Sequence, residues 1–386
     1  MIDLAQSLRD TQAYLRSGKT LAQFEAEHGI RGKVEGPHLI LDYDQIAVKW
    51  AEPYGYICRG LVLDANTFEV IACGLGKFFN DAEHYAAPID WDSAKVFEKI
   101  DGTMVNRWWS PHTNRFEYST RFQLPDGLKT NLVNSGVICW QDMIDRCMAN
   151  VGSRDDGLSP LNLQPMWETW TFEVCSMHNM VVVRHADYHA KLLAIRNNIS
   201  LQEESVESRG HGASTPRSYC FINAAEVAEF ANQHPATELE GFVAVDAAFN
   251  RVKIKSDQYV ALHRAKDGLK GINNLILLAK SNDYEEVVVH FPEYKYDLDV
   301  AAAAIERVVS AHELIYEECR GIENQKEFAI AIMSCGLEYP AALFTTRAGK
   351  SVSVRQSFMD MNDTGFCKLF KTKVRLLLSD RYQEEE

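Results

Sequence analysis

Lys99 is the residue of this sequence whose position most clearly suggests chemistry. It stands in the segment VFEKIDGTMVNRWW, after a short apolar alternation and directly before Ile100 and an Asp-Gly step. An Asp-Gly step favours a turn, which would release the lysine from a strand and let a ligand approach the backbone. A free lysine with a pKa near 10.4 is a neutral nucleophile in only about one molecule in 10³ at neutral pH. The sequence offers two interpretations, a solvated surface cation or an amine directed into a pocket for nucleophilic attack.

Other charged residues lie within short β-like segments, where an isolated charge is costly unless a partner neutralises it. In TWTFEVC, strand alternation places Trp170, Phe172 and Val174 on one face and Glu173 on the other. Five cations and two carboxylates occur in such segments: Arg59, Lys77, Lys99, Lys253, Lys255, Glu173 and Glu240. A polyphosphate with a divalent metal ion would satisfy this set. The crowded cations, together with desolvation, would favour the neutral form of the lysine before Asp-Gly.

The segment EGFVAVDAAFNRVKIK predicts a β-hairpin with a loop of roughly four residues. A loop of even length would place Ala244 opposite Lys253 and Phe242 opposite Lys255, with Glu240 one step beyond on the same face. The other face would carry Val243, Val245, Val252 and Ile254. Two lysines and a glutamate would then converge on one side of the ribbon. Taken alone, the hairpin is also consistent with an exposed outer face that carries a solvated ion pair.

The elements that must position these residues fall into two predicted domains. Residues 1–30 look helical, and residues 38–260 are dominated by short β-like runs separated by Gly, Pro, Asn and Asp. After about residue 262 the strand pattern stops, and alanine-rich or charged helical segments follow. We therefore expect an α+β domain over 1–262 and an all-α domain over 263–386.

Within the α+β domain, the run NMVVVR at 179–184 is typical of a strand. Helices are expected at 135–150 and at 223–233. The segment SVESRGHGASTPRS, residues 205–218, is small, polar and rich in helix breakers, and we expect a mobile loop there.

Composition describes an ordinary soluble protein of 386 residues, with 46% hydrophobic residues and a formal net charge of −14. The acidic balance argues against indiscriminate nucleic-acid binding through a broad basic surface, although it permits a local basic groove. Nine cysteines without a CxxC pair argue against structural zinc or a disulfide framework and fit reduced thiols in a cytosol. The sequence shows no apolar signal core and no run long enough to span a membrane, and no GxxxxGK[ST] run of a P-loop kinase.

The charge pattern reverses between Thr345 and Arg375. Seven basic residues face only two acidic ones, Asp360 and Asp363, in that stretch. The basic residues are Arg347, Lys350, Arg355, Lys368, Lys371, Lys373 and Arg375. A solvated helix face and a polyanion contact are equally good interpretations of this pattern.

Taken in order, these segments resemble the covalent nucleotidyltransferases, and specifically the bacteriophage tRNA-repair type of ATP-dependent RNA ligase, the RNA ligase 1-like group. The superfamily signature, a lysine, any residue and then Asp-Gly, is Lys99-Ile100-Asp101-Gly102 here. The ordered set is CRGLVLD, GKFFNDAE, KIDGT, FEVCSMHNMVVV, KLLAIRN, EGFVAV and VKIKSDQYVALH. The resemblance covers roughly residues 40–265, and the C-terminal part agrees in position and helical character only.

The resemblance implies a three-step reaction in which Lys99 attacks the α-phosphate of ATP, AMP moves to a 5′-phosphate RNA end, and a 3′-hydroxyl displaces AMP. It implies phosphate contacts by Arg59, Lys77, Lys253 and Lys255, and by Tyr43 at the terminal phosphate. It assigns Glu173 to the ribose and Glu240 to the metal with its waters. Gly102 would let the nucleotide approach, and Tyr259 and His263 would serve the RNA steps.

The sequence departs from the family pattern at several positions. Ile100 stands where an acidic residue is frequent, and Thr103 replaces the commoner serine but keeps a hydroxyl. Arg121, followed by Phe122, falls where these ligases usually carry lysine and glycine. Arginine keeps the charge but presents a planar fork, so Arg121 is a nucleotide-binding candidate of altered geometry.

The resemblance also implies the fold and the partners. We expect an ATP-grasp-like nucleotidyltransferase domain of antiparallel sheets with helices, followed by the all-α domain as an RNA-specificity domain. The expected cofactors are ATP as co-substrate and Mg²⁺ or Mn²⁺, and the expected partner is single-stranded or nicked-loop RNA with 5′-phosphate and 3′-hydroxyl ends. We expect a monomeric, cytoplasmic protein, located in the host cytoplasm if a phage encodes it, with tRNA repair as its role.

Three alternatives to an RNA ligase stay open at this point. A DNA ligase and an mRNA-capping guanylyltransferase share the signature but normally add a strand-rich OB-fold after the lysine pair, where helices are expected here. The third alternative is a non-catalytic relative that binds nucleotide or RNA.

Overall fold

The structure is a computed structural model that describes residues 3–129, 139–154, 156–267, 269, 271–281 and 284–378. The chain divides into two compact units, Met1–Ala261 and Leu262–Glu386. The first combines antiparallel sheets with helices and the second is helical, which confirms the predicted α+β class. Among the described residues, no helix is long and apolar enough to cross a bilayer.

The strands of the first unit form three sheets. In chain order they are β1 (Ile30–Glu35), β2 (His38–Tyr43), β3 (Arg59–Asp64), β4 (Val70–Ala72), β5 (Phe79–Asn80), β6 (Lys95–Glu98), β7 (Thr103–Ser110), β8 (Arg115–Ser119), β9 (Glu168–Cys175), β10 (His189–Asn197), β11 (Glu203–Glu204), β12 (Ser218–Tyr219), β13 (Gly241–Val245) and β14 (Arg251–Lys255). The strand orders are β1-β2-β3-β4, β11-β10-β9-β7-β8 and β12-β6-β13-β14-β5. Neighbours are antiparallel except β14 and β5, which run parallel.

The first unit also contains helices, of which α4 and α6 pack on sheets through apolar side chains. They are α1 (Leu4–Arg16), α2 (Leu21–His28), α3 (Tyr54–Ile57), α4 (Trp140–Ala149), α5 (Val206–Arg209) and α6 (Ala224–Asn232). A capping box between Thr20 and Gln23 begins α2, and Gly29 ends it in the left-handed region at φ 69°. Met143 and Ile144 of α4 pack on Phe172 of the second sheet, and α6 packs on the third sheet.

The second unit has a separate hydrophobic core. The helix α7 (Asp257–Asp267) passes from the first unit into the second. The others are α8 (Ile272–Ser281), α9 (Glu285–His290), α10 (Lys295–Cys319), α11 (Gln325–Ser334), α12 (Ala341–Arg347), α13 (Val354–Met359) and α14 (Asp363–Leu377). Leu275, Val309, Phe358 and Phe370 are fully buried in this core.

Two local predictions are wrong. Residues 179–184 form no strand, because the amides of Val182 and Val183 donate to Asp101 Oδ2, at 2.8 and 2.7 Å, instead of to a neighbouring strand. The segment 205–218 is not wholly a loop, since it contains α5 and reaches β12. The predicted helix at 135–150 is described only from 139 onward, and its earlier residues lie outside the described part of the chain.

The predicted register of the β13–β14 hairpin is also wrong by one residue. Val243 lies opposite Lys253 and Gly241 opposite Lys255, because the loop between the strands has an odd number of residues. The Asp246 carboxylate folds over that loop and accepts hydrogen bonds from the amides of Ala248 and Asn250 at 2.9 Å. The two lysines therefore share a face with Val243 and not with the buried Phe242.

Candidate active site

Lys99 follows the last residue of β6 and is fixed by the third sheet. Its amide donates to Gly241 O at 2.8 Å, beside the start of β13. The Asp101 carboxylate, 4% exposed, accepts from Val182 and Val183 and from the Tyr259 hydroxyl at 2.9 Å. These bonds hold the turn after Lys99 in one conformation, so the amine leaves the strand in a defined direction.

Gly102 is required by the close approach of β9 to this turn. A Cβ at position 102 would lie 2.5 Å from Val174 O and 2.7 Å from Cys175 Sγ. The same approach brings Glu173 beside the lysine turn, since Met104 of β7 pairs directly with Glu173. Gly102 therefore serves to bring a carboxylate close to Lys99.

Glu240 is the common partner of two lysines. Its Oε2 lies 2.7 Å from Lys99 Nζ and its Oε1 lies 2.8 Å from Lys255 Nζ. The Glu240 side chain is only 3% exposed, against 21% for Lys99 and 28% for Lys255. Gly241 adopts φ 143°, which interrupts the strand alternation between Glu240 and Phe242 and allows the carboxylate to reach the lysine face.

The prediction that Lys99 loses its proton in an electropositive pocket is wrong for the protein without a bound nucleotide. Burial by itself would lower the pKa of Lys99, but the carboxylates of Glu240 and Glu173 outweigh it and raise the pKa above that of an ordinary lysine. Lys99 is therefore an ammonium in a tight ion pair. The sequence did not reveal this because the decisive contact joins residues 141 positions apart.

Lys253, like Arg59 and Lys77, has a pKa below that of the free side chain. Burial, followed by repulsion from Lys77 and Arg59, lowers the pKa of Lys253 to about 7. The pairing of β14 with β5 explains the crowding, because Lys253 lies opposite Asn80, three residues after Lys77. Near neutrality Lys253 is thus poised to take up a proton when negative charge arrives.

Glu173 is the second acidic group of the site. Burial, together with the charge of Glu240 and against that of Lys99, raises the pKa of Glu173 to about 7. A carboxyl that is partly protonated at neutral pH can both donate and accept a hydrogen bond, which suits a hydroxyl-bearing ligand.

One cavity of about 440 Å³ brings five of the predicted residues together. Its lining includes Arg59, Lys99, Glu173, Lys253 and Lys255. Phe78 also lines the cavity, and the apolar lining residues that sequence reasoning missed include Leu75, Phe97, Met104 and Val243. An apolar wall beside several cations suits a ligand that combines a flat ring with phosphates. The hairpin register could have identified Val243 as a neighbour of Lys253. The assumption of a loop of even length placed Ala244 opposite Lys253 instead.

The remaining predicted residues lie outside that lining. Lys77 lines a neighbouring cavity of about 340 Å³, and its Nζ lies 5.5, 5.1 and 4.7 Å from the ring centroids of Tyr43, Trp50 and Phe79. The Arg121 guanidinium donates to Asp42 at 2.7 Å and covers the Tyr43 ring at 4.1 Å. Both Lys77 and Arg121 therefore bracket Tyr43 by cation–π contacts.

Tyr259 and His263, the predicted RNA-binding pair, are placed differently from each other. Tyr259 is 1% exposed and donates to Asp101, so it supports the lysine turn from beneath. His263 belongs to the second unit, where its Nδ1 lies 3.1 Å from Asp267.

The donor chemistry of the site fits Mg²⁺ or Mn²⁺. Both ions prefer oxygen ligands, and Mg²⁺ retains several waters, so that one or two carboxylates with substrate phosphates suffice. Glu240 and Glu173 supply carboxylate oxygens, and Glu173 lines the cavity. Glu240 is the better candidate, because its two buried oxygens already bind two cationic groups.

Comparisons with known proteins agree on one family. The sequence model of an RNA ligase family matches residues 57–259, more than half of the chain. A putative bifunctional polynucleotide kinase/RNA ligase of Autographa californica nuclear polyhedrosis virus is 22% identical over 367 residues. That match covers 90% of this chain and 51% of the viral protein, so the chain spans about half the length of this relative.

Solved structures of RNA ligases are also similar, at low identity. Two forms of an archaeal ATP-dependent RNA ligase are 14% and 15% identical, with TM-scores of 0.40 and 0.42. They cover 91% and 92% of this chain, and 77% and 86% of the archaeal chains. A Naegleria gruberi RNA ligase with ATP and Mn is 14% identical, with a TM-score of 0.32, covering 45% of this chain and 52% of its own.

Proposed function

Because the chain belongs to the RNA ligase family, we propose that it is an ATP-dependent RNA ligase that joins 5′-phosphate and 3′-hydroxyl RNA ends. The observation that carries this proposal is the position of Lys99, which lines a cavity with Arg59, Lys253 and Lys255 and whose Nζ lies 2.7 Å from the buried Glu240. A nucleophilic amine and a set of phosphate-binding cations are the two requirements of covalent nucleotidyl transfer.

In the proposed first step, Lys99 Nζ attacks the α-phosphorus of ATP. A nitrogen–phosphorus bond forms, the bond to the β-phosphate oxygen breaks, and pyrophosphate leaves. Arg59, Lys253 and Lys255 line the cavity and would bind the phosphates and stabilise the charge on their oxygens. Glu173 would hydrogen-bond the ribose. Lys77, Tyr43 and Arg121 form one cation–π group and remain candidates for the outer phosphates.

The two later steps use the same cavity. The AMP passes from Lys99 to the 5′-phosphate of an RNA end, giving AMP–RNA and a free lysine. A 3′-hydroxyl then attacks that 5′-phosphate and displaces AMP, which forms the phosphodiester bond. Lys253 and Lys255 are proposed to contact phosphates throughout.

Lys99 must lose a proton before it attacks. Glu240 keeps it charged in the protein alone, so attack requires that the charge of this carboxylate be compensated by another cation. The ammonium groups of Lys255 and its neighbours then favour the neutral amine. A Mg²⁺ or Mn²⁺ ion held by Glu240 would supply the compensating positive charge.

The family membership favours this activity over the three alternatives. After residue 262, the described part of the chain is helical and contains no strand, whereas DNA ligases and capping enzymes normally continue into an OB-fold. The assembled site disfavours a non-catalytic relative.

Incubation with ATP or GTP and with 5′-phosphorylated RNA or DNA tests the proposal. Denaturing gels are scored for protein adduct, AMP-capped strand and circles. We expect all three products with ATP and RNA; their absence would refute it.

The affinity for a triphosphate is expected to fall as the pH rises above about 7. Lys253 has a folded pKa of about 7, and bound phosphates favour its ammonium, so binding takes up a proton between pH 7 and the raised pKa of the complex. The ligand for this measurement is an ATP analogue whose α,β-bridging oxygen is replaced by carbon. Titration calorimetry of its binding at pH 8, in two buffers of different ionisation enthalpy, would show the proton uptake. Lys253→Met should abolish the uptake; an unchanged uptake in that variant would contradict the assignment.

We propose that the second unit selects the RNA. Three of the seven basic residues of its C-terminal stretch are engaged within the unit: Arg355 by Glu306 and Glu313, Lys373 by Glu338, and Arg347 by the Phe328 ring. Lys350, Lys368 and Lys371 are exposed, which supports a polyanion contact for those three residues. A tRNA-repair role, a cytoplasmic location and a monomeric state remain predictions.

Deletion of the chain after Asp267 is expected to leave self-adenylylation within about threefold of the intact protein and to impair the choice of RNA. The first unit has its own hydrophobic cores, and this end point keeps α7 and therefore Tyr259. Adduct formation and ligation of tRNA-derived and unstructured RNA would be compared for both proteins. A truncated protein that folds but forms no adduct would contradict the assignment of self-adenylylation to the first unit.

A further inference from the structure

A thiol and two imidazoles lie beside the lysine turn and take no part in the proposed ligation. Cys175 ends β9, His189 begins β10, and the two residues are direct partners in the antiparallel register. His185 comes from the segment that connects these strands. One potential ligand atom from each of the three residues lies within 4.8 Å of the others. The register thus places a sulfur and two ring nitrogens in one small volume.

The hydrogen bonds of the two histidines determine which ring nitrogen carries the lone pair in the neutral form of each side chain. His185 Nε2 lies 2.7 Å from the backbone oxygen of Asp101, and His189 Nδ1 lies 3.2 Å from that of Asp187. A carbonyl oxygen only accepts, so these two nitrogens carry the protons, and the neutral rings keep a lone pair on Nδ1 of His185 and on Nε2 of His189. Metal-binding histidines in proteins show the same arrangement, with the second nitrogen donating to a carbonyl or carboxylate.

We propose that Cys175, His185 and His189 bind a divalent ion of the Zn²⁺ class, separate from the Mg²⁺ or Mn²⁺ ion assigned to Glu240. Sulfur and imidazole donors suit Zn²⁺, whereas Mg²⁺ prefers oxygen. Tetrahedral zinc with metal–ligand bonds of 2.0–2.3 Å needs ligand atoms about 3.5 Å apart, so the side chains must contract by about 1 Å. Three protein ligands leave the fourth position to water, and binding releases the proton of the Cys175 thiol.

The bound ion would tie the β9–β10 connection to the lysine turn. Cys175 Sγ lies 3.9 Å from Asp101 O, the same oxygen that accepts from His185. The connection also supplies the Val182 and Val183 amides to the Asp101 carboxylate. One ion would thereby fix the segment that holds the turn after Lys99.

Cobalt titration of the full chain, purified without metal and kept reduced, tests the site. We expect one equivalent of Co²⁺ to give tetrahedral ligand-field bands and a thiolate-to-cobalt charge-transfer band. One equivalent of Zn²⁺ should remove both bands, and excess Mg²⁺ should leave them unchanged. Cys175→Ser should abolish the charge-transfer band. His189→Gln should weaken binding by at least the roughly 10- to 100-fold that loss of an outer-shell partner costs.

Matched controls separate this site from adventitious binding. Cys220→Ser removes an exposed thiol, and His178→Gln removes a histidine of the same connection whose ring pairs with Tyr188, and both should keep the full spectrum. A wild-type protein that shows only a weak octahedral spectrum would overturn the proposal, whether or not the variants fold. A charge-transfer band that survives in Cys175→Ser and disappears in Cys220→Ser would overturn it as well. Neither outcome affects the ligase proposal, since the spectra are recorded without ATP or RNA.

Discussion

Lys99→Ala is expected to abolish the covalent AMP adduct and, with it, all ATP-dependent RNA joining. The side chain supplies the only nucleophile proposed for the first step, so the adduct should fall below detection and not merely decrease. The melting temperature should change by a few degrees at most, because Glu240 keeps its ion pair with Lys255 at 2.8 Å. Radiolabelled ATP, a divalent metal and a denaturing gel give the measurement.

Two further variants show whether the loss reflects the nucleophile or the charge. Lys99→Arg keeps a cation opposite Glu240 but cannot deprotonate near neutrality, so it should also form no adduct. Lys49→Ala removes a lysine whose side chain is 57% exposed and should behave as the wild type. Both Lys99 variants should still seal RNA that already carries a 5′-AMP cap, because that step does not need the lysine nucleophile. Adduct formation by Lys99→Ala would refute the assignment of Lys99.

Glu240→Gln is expected to lower the rate of self-adenylylation by roughly 10²- to 10³-fold, the range for loss of one preorganised electrostatic group. The substitution keeps the volume of the side chain but removes the charge that holds Lys99 as an ammonium, so the expected loss comes from the metal site and not from the ion pair. Neutral glutamine would be a poorer ligand for a divalent metal than carboxylate. Adduct formation at several Mn²⁺ and Mg²⁺ concentrations measures the effect, and the required metal concentration should rise.

Glu238→Gln is the matched control for the Glu240 variant. Glu238 is exposed and lies two residues earlier, before the start of β13. We expect it to retain the wild-type rate and metal dependence. If Glu240→Gln also retained both, the carboxylate would be a structural ion-pair partner with no part in the chemistry.

The sequence predicted the strands of the β13–β14 hairpin and their antiparallel pairing, but not the register of that pairing. The period-two pattern of Trp170, Phe172 and Val174 identified β9, because all three side chains are buried in one core. The lysines of β14 were found in the same way, yet their partners were misplaced. The Asp246 carboxylate draws an extra residue into the loop, a local hydrogen-bonding choice that apolar alternation does not encode.

Distances between remote segments were the second limit. The raised pKa of Lys99 depends on Glu240, which is far away in sequence and only 2.7 Å away in space. The run at 179–184 looked like a strand because it is apolar and β-branched, but its amides bond to Asp101. The cysteine and two histidines beside the turn have no standard metal-binding spacing, and only the β9–β10 register brings them together.

Peptide mapping of the protein after incubation with ATP and a divalent metal tests the central claim most directly. Tandem mass spectrometry of the digested protein should find one AMP on the peptide that contains the segment KIDGT, bonded to Lys99 Nζ. Addition of pyrophosphate before digestion should remove this AMP. AMP bonded to any other residue, or no AMP on a folded protein, would contradict the account.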